Sequence, residues 1–263
     1  KEAGIWSALI NAYLLQRYDR ATSLSLRLVQ QQPASLLVTF AASSVLMKGA
    51  QSSTALKMIE QFIPNPDGYL QFPQIQYMYG EINLQRGRYR EAIAAYRLFL
   101  VQHKGPNQVK DAYYKIALCH HLLHEEKASS TYRELAATKG VANIDVDKNA
   151  DHMLRQDTWP HRGLLQARYH IDGGYFEKAL HILSEIKPAD LAGRKEHTEY
   201  LYRHARLYHK RDERSKAIPY YRRVIEVQQD DSWVFAPNAC LQLAVLYHEQ
   251  GNTQEAQAKL HAL

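Results

Sequence analysis

The chain has 263 residues, 46% of them apolar and 23% charged, with only 12 Gly and 9 Pro. This balance excludes a disordered or low-complexity polymer and supplies enough apolar surface for a sizeable core. The net charge of +6 is unevenly placed: residues 1–110 hold 12 Lys/Arg against six Asp/Glu, and residues 194–223 hold ten against four. Such a bias attracts acidic partners, although solvated helix faces also produce it.

In chain order, the first helical pair is "WSALINAYLLQRYDRATSLSLRLVQQQP", with Trp6, Tyr18 and Ala21, closed by Pro33. A second, "FAASSVLMKGAQSSTALKMIEQFIP", centres on Ala55. The clearest unit is "YMYGEINLQRGRYREAIAAYRLFL". Tyr79-Gly80 is followed seven residues later by Gly87, then by Tyr89, Ala92-Ile93 and Tyr96. Small residues let two antiparallel helices approach, and the aromatics fill the space beside them. The fourth unit, "KIALCHHLLHEEKASSTYREL", sets Ala117 against Ala128, eleven residues apart rather than twelve. After an irregular stretch near 138–160 the pattern returns three times. "GGYFEKALHIL" gives Gly174, Phe176, Ala179 and Leu180, with Ala167 on the helix before. "YRHARLYHKRDERSKAIPYY" gives Ala205, Tyr208, Ala217 and Tyr221, and "CLQLAVLYHEQGNTQEAQAKL" gives Leu243-Ala244, Tyr247, Gly251 and Ala256.

This recurrence resembles the tetratricopeptide repeat: a large-small pair on helix A, Gly at the turn, then aromatic, small and aromatic positions on helix B. The small residues of helix B are Ala21, Ala55, Ala92, Ala128, Ala179, Ala217 and Ala256, at steps of 34, 37, 36, 51, 38 and 39 residues. The resemblance spans nearly the whole chain. It implies an all-α, right-handed superhelical α-solenoid of about seven hairpins, a single domain over residues 1–263 with one inserted segment near 138–160. It further implies a concave groove lined by the A helices. Family position places Tyr114, Lys115, His121, Arg168, Tyr202, Arg203, Arg206, His209, Lys210 and His248 in that groove. Arg and Tyr together fork onto carboxylates and stack on planar groups, so an acidic or C-terminal peptide is the expected ligand. The Lys/Asn carboxylate clamp of the chaperone-binding branch is missing, and that function is not carried over.

Two local patterns invite metal readings. His120 and His124 have the i, i+4 spacing that can hold one zinc on a helix. In the repeat frame, however, His120 packs against the partner helix and His124 falls in the turn. Asp145-x-Asp147-x-Asn149-x-Asp151 has the oxygen-ligand spacing that opens a calcium loop. Ala150 then stands where the sharp turn needs Gly, and Gln156 where a bidentate Glu should close the shell. The competing expectation is an extra helix, with Asp147 capping its start and Ala150, Met153 and Leu154 facing inward. No metal or other cofactor is expected.

The sequence holds no Gly-rich phosphate loop, nucleophile motif or HExxH, so no enzyme is expected. The favoured expectation is a non-catalytic scaffold for a protein or peptide partner. One alternative is a single-stranded nucleic-acid binder, disfavoured because no regular pair of polar residues recurs in every repeat. The other is a self-associating structural solenoid paired through terminal apolar residues such as Ile5 and Leu9. No apolar run reaches the roughly 20 residues of a membrane span, and the sequence starts at Lys1 without a basic-then-apolar leader. Cys119 and Cys240 make no disulfide framework. The compartment stays open, with the cytoplasm slightly favoured.

Overall fold

The computed structural model describes residues 2–15, 17–32, 34–63, 72–156, 158–228 and 231–261, with the side chains of residues 2–4 and 11 left aside. Pro33, read above as a helix terminator, lies outside them. The described residues are all-α. Seven hairpins follow one another: α1 (Glu2–Leu14) with α2 (Tyr18–Gln31), α3 (Leu36–Lys48) with α4 (Ser52–Ile59), α5 (Gln74–Arg86) with α6 (Tyr89–Gln102), and α7 (Val109–Leu122) with α8 (Glu126–Thr138). A lone helix, α9 (Asp145–Leu154), precedes α10 (Arg162–Gly173) with α11 (Phe176–Glu185), α12 (Gly193–Lys210) with α13 (Arg214–Gln228), and α14 (Phe235–Glu249) with α15 (Thr253–His261). The extra helix expected in the insertion is therefore present.

Every hairpin closes the same way. A backbone N–H just past the first helix reaches the carbonyl five residues back, from Arg17 to Ala12 (2.8 Å), Gln51 to Leu46 (2.8 Å), Arg88 to Asn83 (2.8 Å) and Glu125 to His120 (2.9 Å). Tyr175 to His170 (2.8 Å), Glu213 to Tyr208 (2.9 Å) and Asn252 to Tyr247 (2.9 Å) complete the set. In the last six hairpins the residue just before the donor is left-handed. Gly87, Gly174 and Gly251 fill that place with φ of 80, 82 and 78°, while Ala50, His124 and Asp212 adopt 58, 60 and 59° against their steric preference.

The small helix-B residues sit where the frame puts them: Ala21, Ala55, Ala92, Ala179 and Ala217 are fully buried and Ala256 nearly so. The fourth unit corrects the reading. Ala128 is half-buried, whereas Ser129 is fully buried and donates its hydroxyl to the Ala117 carbonyl at 3.0 Å. The spacing from Ala117 is thus the regular twelve. The helices of the third hairpin approach so closely at Gly80 that a Cβ there would lie 2.7 Å from the Tyr96 ring.

The chain divides into two compact units, residues 1–159 with 172–174 and residues 160–171 with 175–263. In the first, Leu9, Ala21, Leu28, Val38 and Val45 pack together, and Leu46, Ile59, Ile75 and Ile82 form a second cluster. Leu9 is thus a core residue, not free to pair two chains, and Ile5 packs beside it, part-buried. In the second unit Leu164, Ala167, Leu183 and Leu207 form one cluster, and Tyr221, Val224, Leu243 and Leu246 another. Each such large apolar side chain contributes about 2 kcal/mol by leaving water. No helix among the described residues is long and apolar enough to cross a membrane.

Candidate functional site

In the first unit the predicted groove residues lie in a dense interior network. Asp111 is buried, accepts a hydrogen bond from the Tyr77 hydroxyl and lies 3.4 Å from Lys115 Nζ. Lys115 also pairs with Glu81 at 2.5 Å, and Glu81 accepts from the buried Tyr96 hydroxyl. Burial raises the Asp111 carboxyl to about 6, against the lowering influence of Lys115. Tyr114 is buried, and His121 is buried with its ring stacked on Trp159 at 4.9 Å. Arg133 covers that indole at 4.9 Å and donates to the Leu154 carbonyl at 3.1 Å, fastening the insertion to α8. These side chains are committed to packing.

The histidine cluster divides as the frame predicts. His120 is buried, pairs with Glu125 at 2.6 Å and stacks on Tyr132 at 5.3 Å; His124 is exposed in the turn at φ 60°. The helix has ended before His124, so the two rings do not share a face. Beside them, burial pushes the Cys119 thiol far up.

Asp145, Asp147, Asn149 and Asp151 lie on α9, a continuous helix, where alternate residues point about 200° apart and cannot wrap one ion. Asp145 and Asn149 are exposed, and Asp151 pairs with Arg155 at 2.7 Å and Lys110 at 3.4 Å. Asp147 is fully buried and caps a helix, though not its own. It accepts from the N–H of Gln108 at 2.7 Å and of Asp111 at 3.0 Å, the start of α7. Ala150 is buried as expected, with Met153 and Leu154 half-buried.

In the second unit the predicted residues separate into buried and accessible sets. Tyr202 is buried against Tyr221 and Phe235, with ring centroids 6.0 and 5.6 Å away. Arg203 is only 9% exposed, pairs with Glu199 at 2.5 Å and lies over the Tyr202 and Phe235 rings. Arg206 and His209 are half-buried, while Arg168, Lys210 and His248 are exposed. The His209 Nδ1 lies 3.2 Å from the Tyr221 hydroxyl. Burial, then the neighbouring Lys210, Arg206 and Arg214 cations, bring His209 down to about 4, so the free ring is neutral. His204 is likewise brought to about 4, by burial among Tyr200, Tyr208 and Tyr220.

One frame relates the residues of α12 and α14. Tyr202, Arg206 and His209 stand three before, one after and four after Ala205. Leu241, Val245 and His248 stand in the same places around Ala244. Leu241 and Val245 are 42% and 41% exposed, while Leu243, Leu246 and Tyr247 on the opposite face are buried. A search for polar groups alone passes over Leu241 and Val245; the repeat frame contains them. The two helices touch through Phe235, which meets the Tyr202 ring and lies under Arg203.

A hairpin architecture repeated seven times defines an all-α helical-repeat protein. Residues 73–100 and 198–231 match the family model described as tetratricopeptide repeat. These two stretches, one in each unit, carry tetratricopeptide repeats. No curated protein matches it in sequence. Among solved structures it is similar to Pseudomonas aeruginosa PilF, at 11% identity over 90% of this chain and 95% of that one, with a TM-score of 0.46. It is also similar to the TPR domain of P58(IPK), at 17% identity over 99% and 72% with a TM-score of 0.41. For apo RapI the values are 12%, 99%, 75% and 0.40. Likenesses of this order carry nothing about ligands.

Proposed function

We propose that the chain is a non-catalytic protein-interaction scaffold whose second unit takes an acidic, partly apolar segment of a partner protein. The segment lies along the outward stripes of α12 and α14. The observation that carries this reading is the exposure of Leu241 and Val245, one helical turn apart, at the frame positions that Tyr202 and Arg206 hold on α12. Scattered exposed aliphatics are ordinary; two on one stripe, in the same frame as a cationic cluster, form a surface with two chemistries. Arg and Lys supply long-range attraction and carboxylate contacts, and the aliphatics supply desolvation. The packed hairpins hold these groups in place before binding, so the ligand bears most of the ordering entropy.

A displayed-peptide selection tests it. Enrichment of Asp/Glu with Leu, Ile or Phe is the expected result, lost when Arg206 and Lys210 are both changed to Glu and weakened by Leu241→Asp. Arg203 is left alone because a carboxylate placed there would face Glu199 with little access to water. Selection that ignores both variants sinks the proposal. Salt-sensitive binding of oligothymidylate in place of peptide would favour single-stranded nucleic acid.

A second reading, self-association, rests on α1. Glu2 is its only charged residue, and it leaves Ile10 and Leu14 53% and 69% exposed at i, i+4 spacing. Sedimentation velocity decides it. A mass that rises with concentration and falls back in Leu14→Glu supports pairing; a constant monomer mass removes it.

A further inference from the structure

The second helices of the third and fourth hairpins frame a different surface. α6 and α8 each pack on α7. Two side-chain bridges run from α6 to the fourth hairpin: Arg90 pairs with Glu125 at 2.7 Å, and Arg97 Nε donates to the Tyr132 hydroxyl at 2.9 Å. The Arg97 guanidinium also lies over the Tyr132 ring, 5.3 Å from its centre. Tyr132 is half-buried, and is steadied in turn by the buried His120 ring, stacked at 5.3 Å, and by Tyr113 at 6.4 Å. Beside this ring lies an open depression of about 600 Å³, lined by Glu125, Glu126, Lys127, Ala128, Thr131 and Tyr132. The Thr131 hydroxyl is spent on the Lys127 carbonyl at 3.0 Å, and the Glu125 carboxylate is met by both Arg90 and His120. The cations here are not spent. Neither Arg97 nor Lys127 meets a carboxylate among the described residues, and with Nε committed to the phenol the two terminal amino groups of Arg97 stay open.

We infer that this depression is a second binding surface, which takes an oxyanion carried next to an apolar group by a partner protein. The Arg97 amino groups fork onto the oxyanion, and the apolar group lies against Tyr132 and Ala128. The physical reason is preorganisation. A surface arginine normally gives up rotamer freedom when it binds. Arg97 has already given it up to the phenol and the ring, and two N–H groups remain to meet two oxygens. Lys127 adds attraction, and the half-buried ring supplies area to desolvate, while Glu126, exposed on the lining, opposes the anion. The surface belongs to the first unit and does not depend on the reading of α12 and α14. The plain competing account is a clasp that only joins hairpins. Arg222, at the same frame position of the sixth hairpin, donates to the buried Tyr247 hydroxyl at 2.9 Å and lies over its ring. That account predicts variants with lowered melting temperature and no ligand effect.

The test is a proton–nitrogen NMR titration of the full chain with 3-phenylpropionate, phenyl phosphate and the neutral 3-phenylpropionamide, at pH 7 and fixed ionic strength. Each is carried to about 20 mM, because groups of this size bind in the millimolar range. The expected result is a saturable shift of the Lys127, Ala128, Thr131 and Tyr132 amides with the anions and none with the amide. The tighter of the two anions tells whether the partner's group is a carboxylate or a phosphate. Arg97→Lys, which keeps the charge but not the fork, weakens binding about tenfold, while Arg222→Lys leaves it unchanged. No saturable shift at these residues, an equal shift with the neutral amide, an affinity that survives in Arg97→Lys, or a loss matched in Arg222→Lys overturns the inference. Shifts confined to Leu241, Val245 and their neighbours also overturn it, and leave the reading of α12 and α14 standing.

Discussion

The Ser129 hydroxyl donates to the Ala117 carbonyl across 3.0 Å, and this contact sets the register of the fourth hairpin. A fully buried serine meets its partner helix as closely as alanine does elsewhere, because its hydroxyl is absorbed by a carbonyl. Ser129→Ala is expected to cost about 1 kcal/mol through the lost bond. Ser129→Leu should cost more, about 1–3 kcal/mol or above, by forcing the helices apart. Ala128→Leu should lie within about 0.5 kcal/mol of the parent. Urea unfolding of the three variants checks the order; an Ala128 variant worse than the Ser129→Leu variant would restore the original register.

His124 carries the turn geometry that Gly87, Gly174 and Gly251 supply elsewhere. A Cβ in the left-handed region costs about 1–2 kcal/mol, and the exposed His124 side chain offers little in return. His124→Gly is therefore expected to stabilise the first unit by about 1 kcal/mol, less the added freedom of the unfolded chain. Gly87→Ala should move stability the other way by a similar amount. Thermal melts of both variants give the answer, and an unstable His124→Gly protein would show that the ring has a role its exposure hides.

Asp147 joins the inserted helix to α7 by capping two amides there. Loss of the carboxylate in Asp147→Ala is expected to cost about 1–2 kcal/mol, as removal of an N-cap does. Because the residue is spent on backbone, millimolar calcium should leave the melting temperature of the parent and of the variant unchanged. A calcium-dependent rise in the parent alone would reinstate the loop reading.

Asp111 is raised to about 6, chiefly by burial. Its unfolded value is the lower, ordinary one near 3.9, so the folded state binds the proton more tightly. Stability from this group is complete below about pH 4 and is lost as pH rises through about 6. Asp111→Asn keeps an acceptor for Tyr77 and never ionises. It should flatten the pH dependence of unfolding between 4 and 6 and raise stability at pH 7. An unchanged pH profile in the variant would mean that Asp111 is not the group that sets it.

Much of this architecture is legible in the residues. The alanine spacing, the glycines after first helices and the aromatic positions name seven hairpins, because close packing of two helices admits few side chains at the contact. The inserted helix and the turn at His124 are legible too, since both depend on where a helix runs. The candidate site was legible only in part. Arg206, His209, Lys210 and His248 emerge from the frame as accessible groups, and Leu241 and Val245 occupy the same frame but lack the polarity that draws attention.

What the sequence by itself determined is therefore the repeat, its helices and the positions that face away from each hairpin's core, all set by local periodicity and side-chain size. Only the tertiary structure decided which of those positions stay in reach of a ligand. Tyr114, His121 and Tyr202 share a frame position with accessible residues yet are buried, His121 against Trp159 and Tyr202 against Phe235. Lys115 and Arg203 carry charges that Glu81 and Glu199 already neutralise. Burial and the Lys115–Glu81 pair depend on neighbours brought together from other hairpins and from the insertion, of which spacing along one helix holds no record; only the Arg203–Glu199 pair, four residues apart on α12, could be read there.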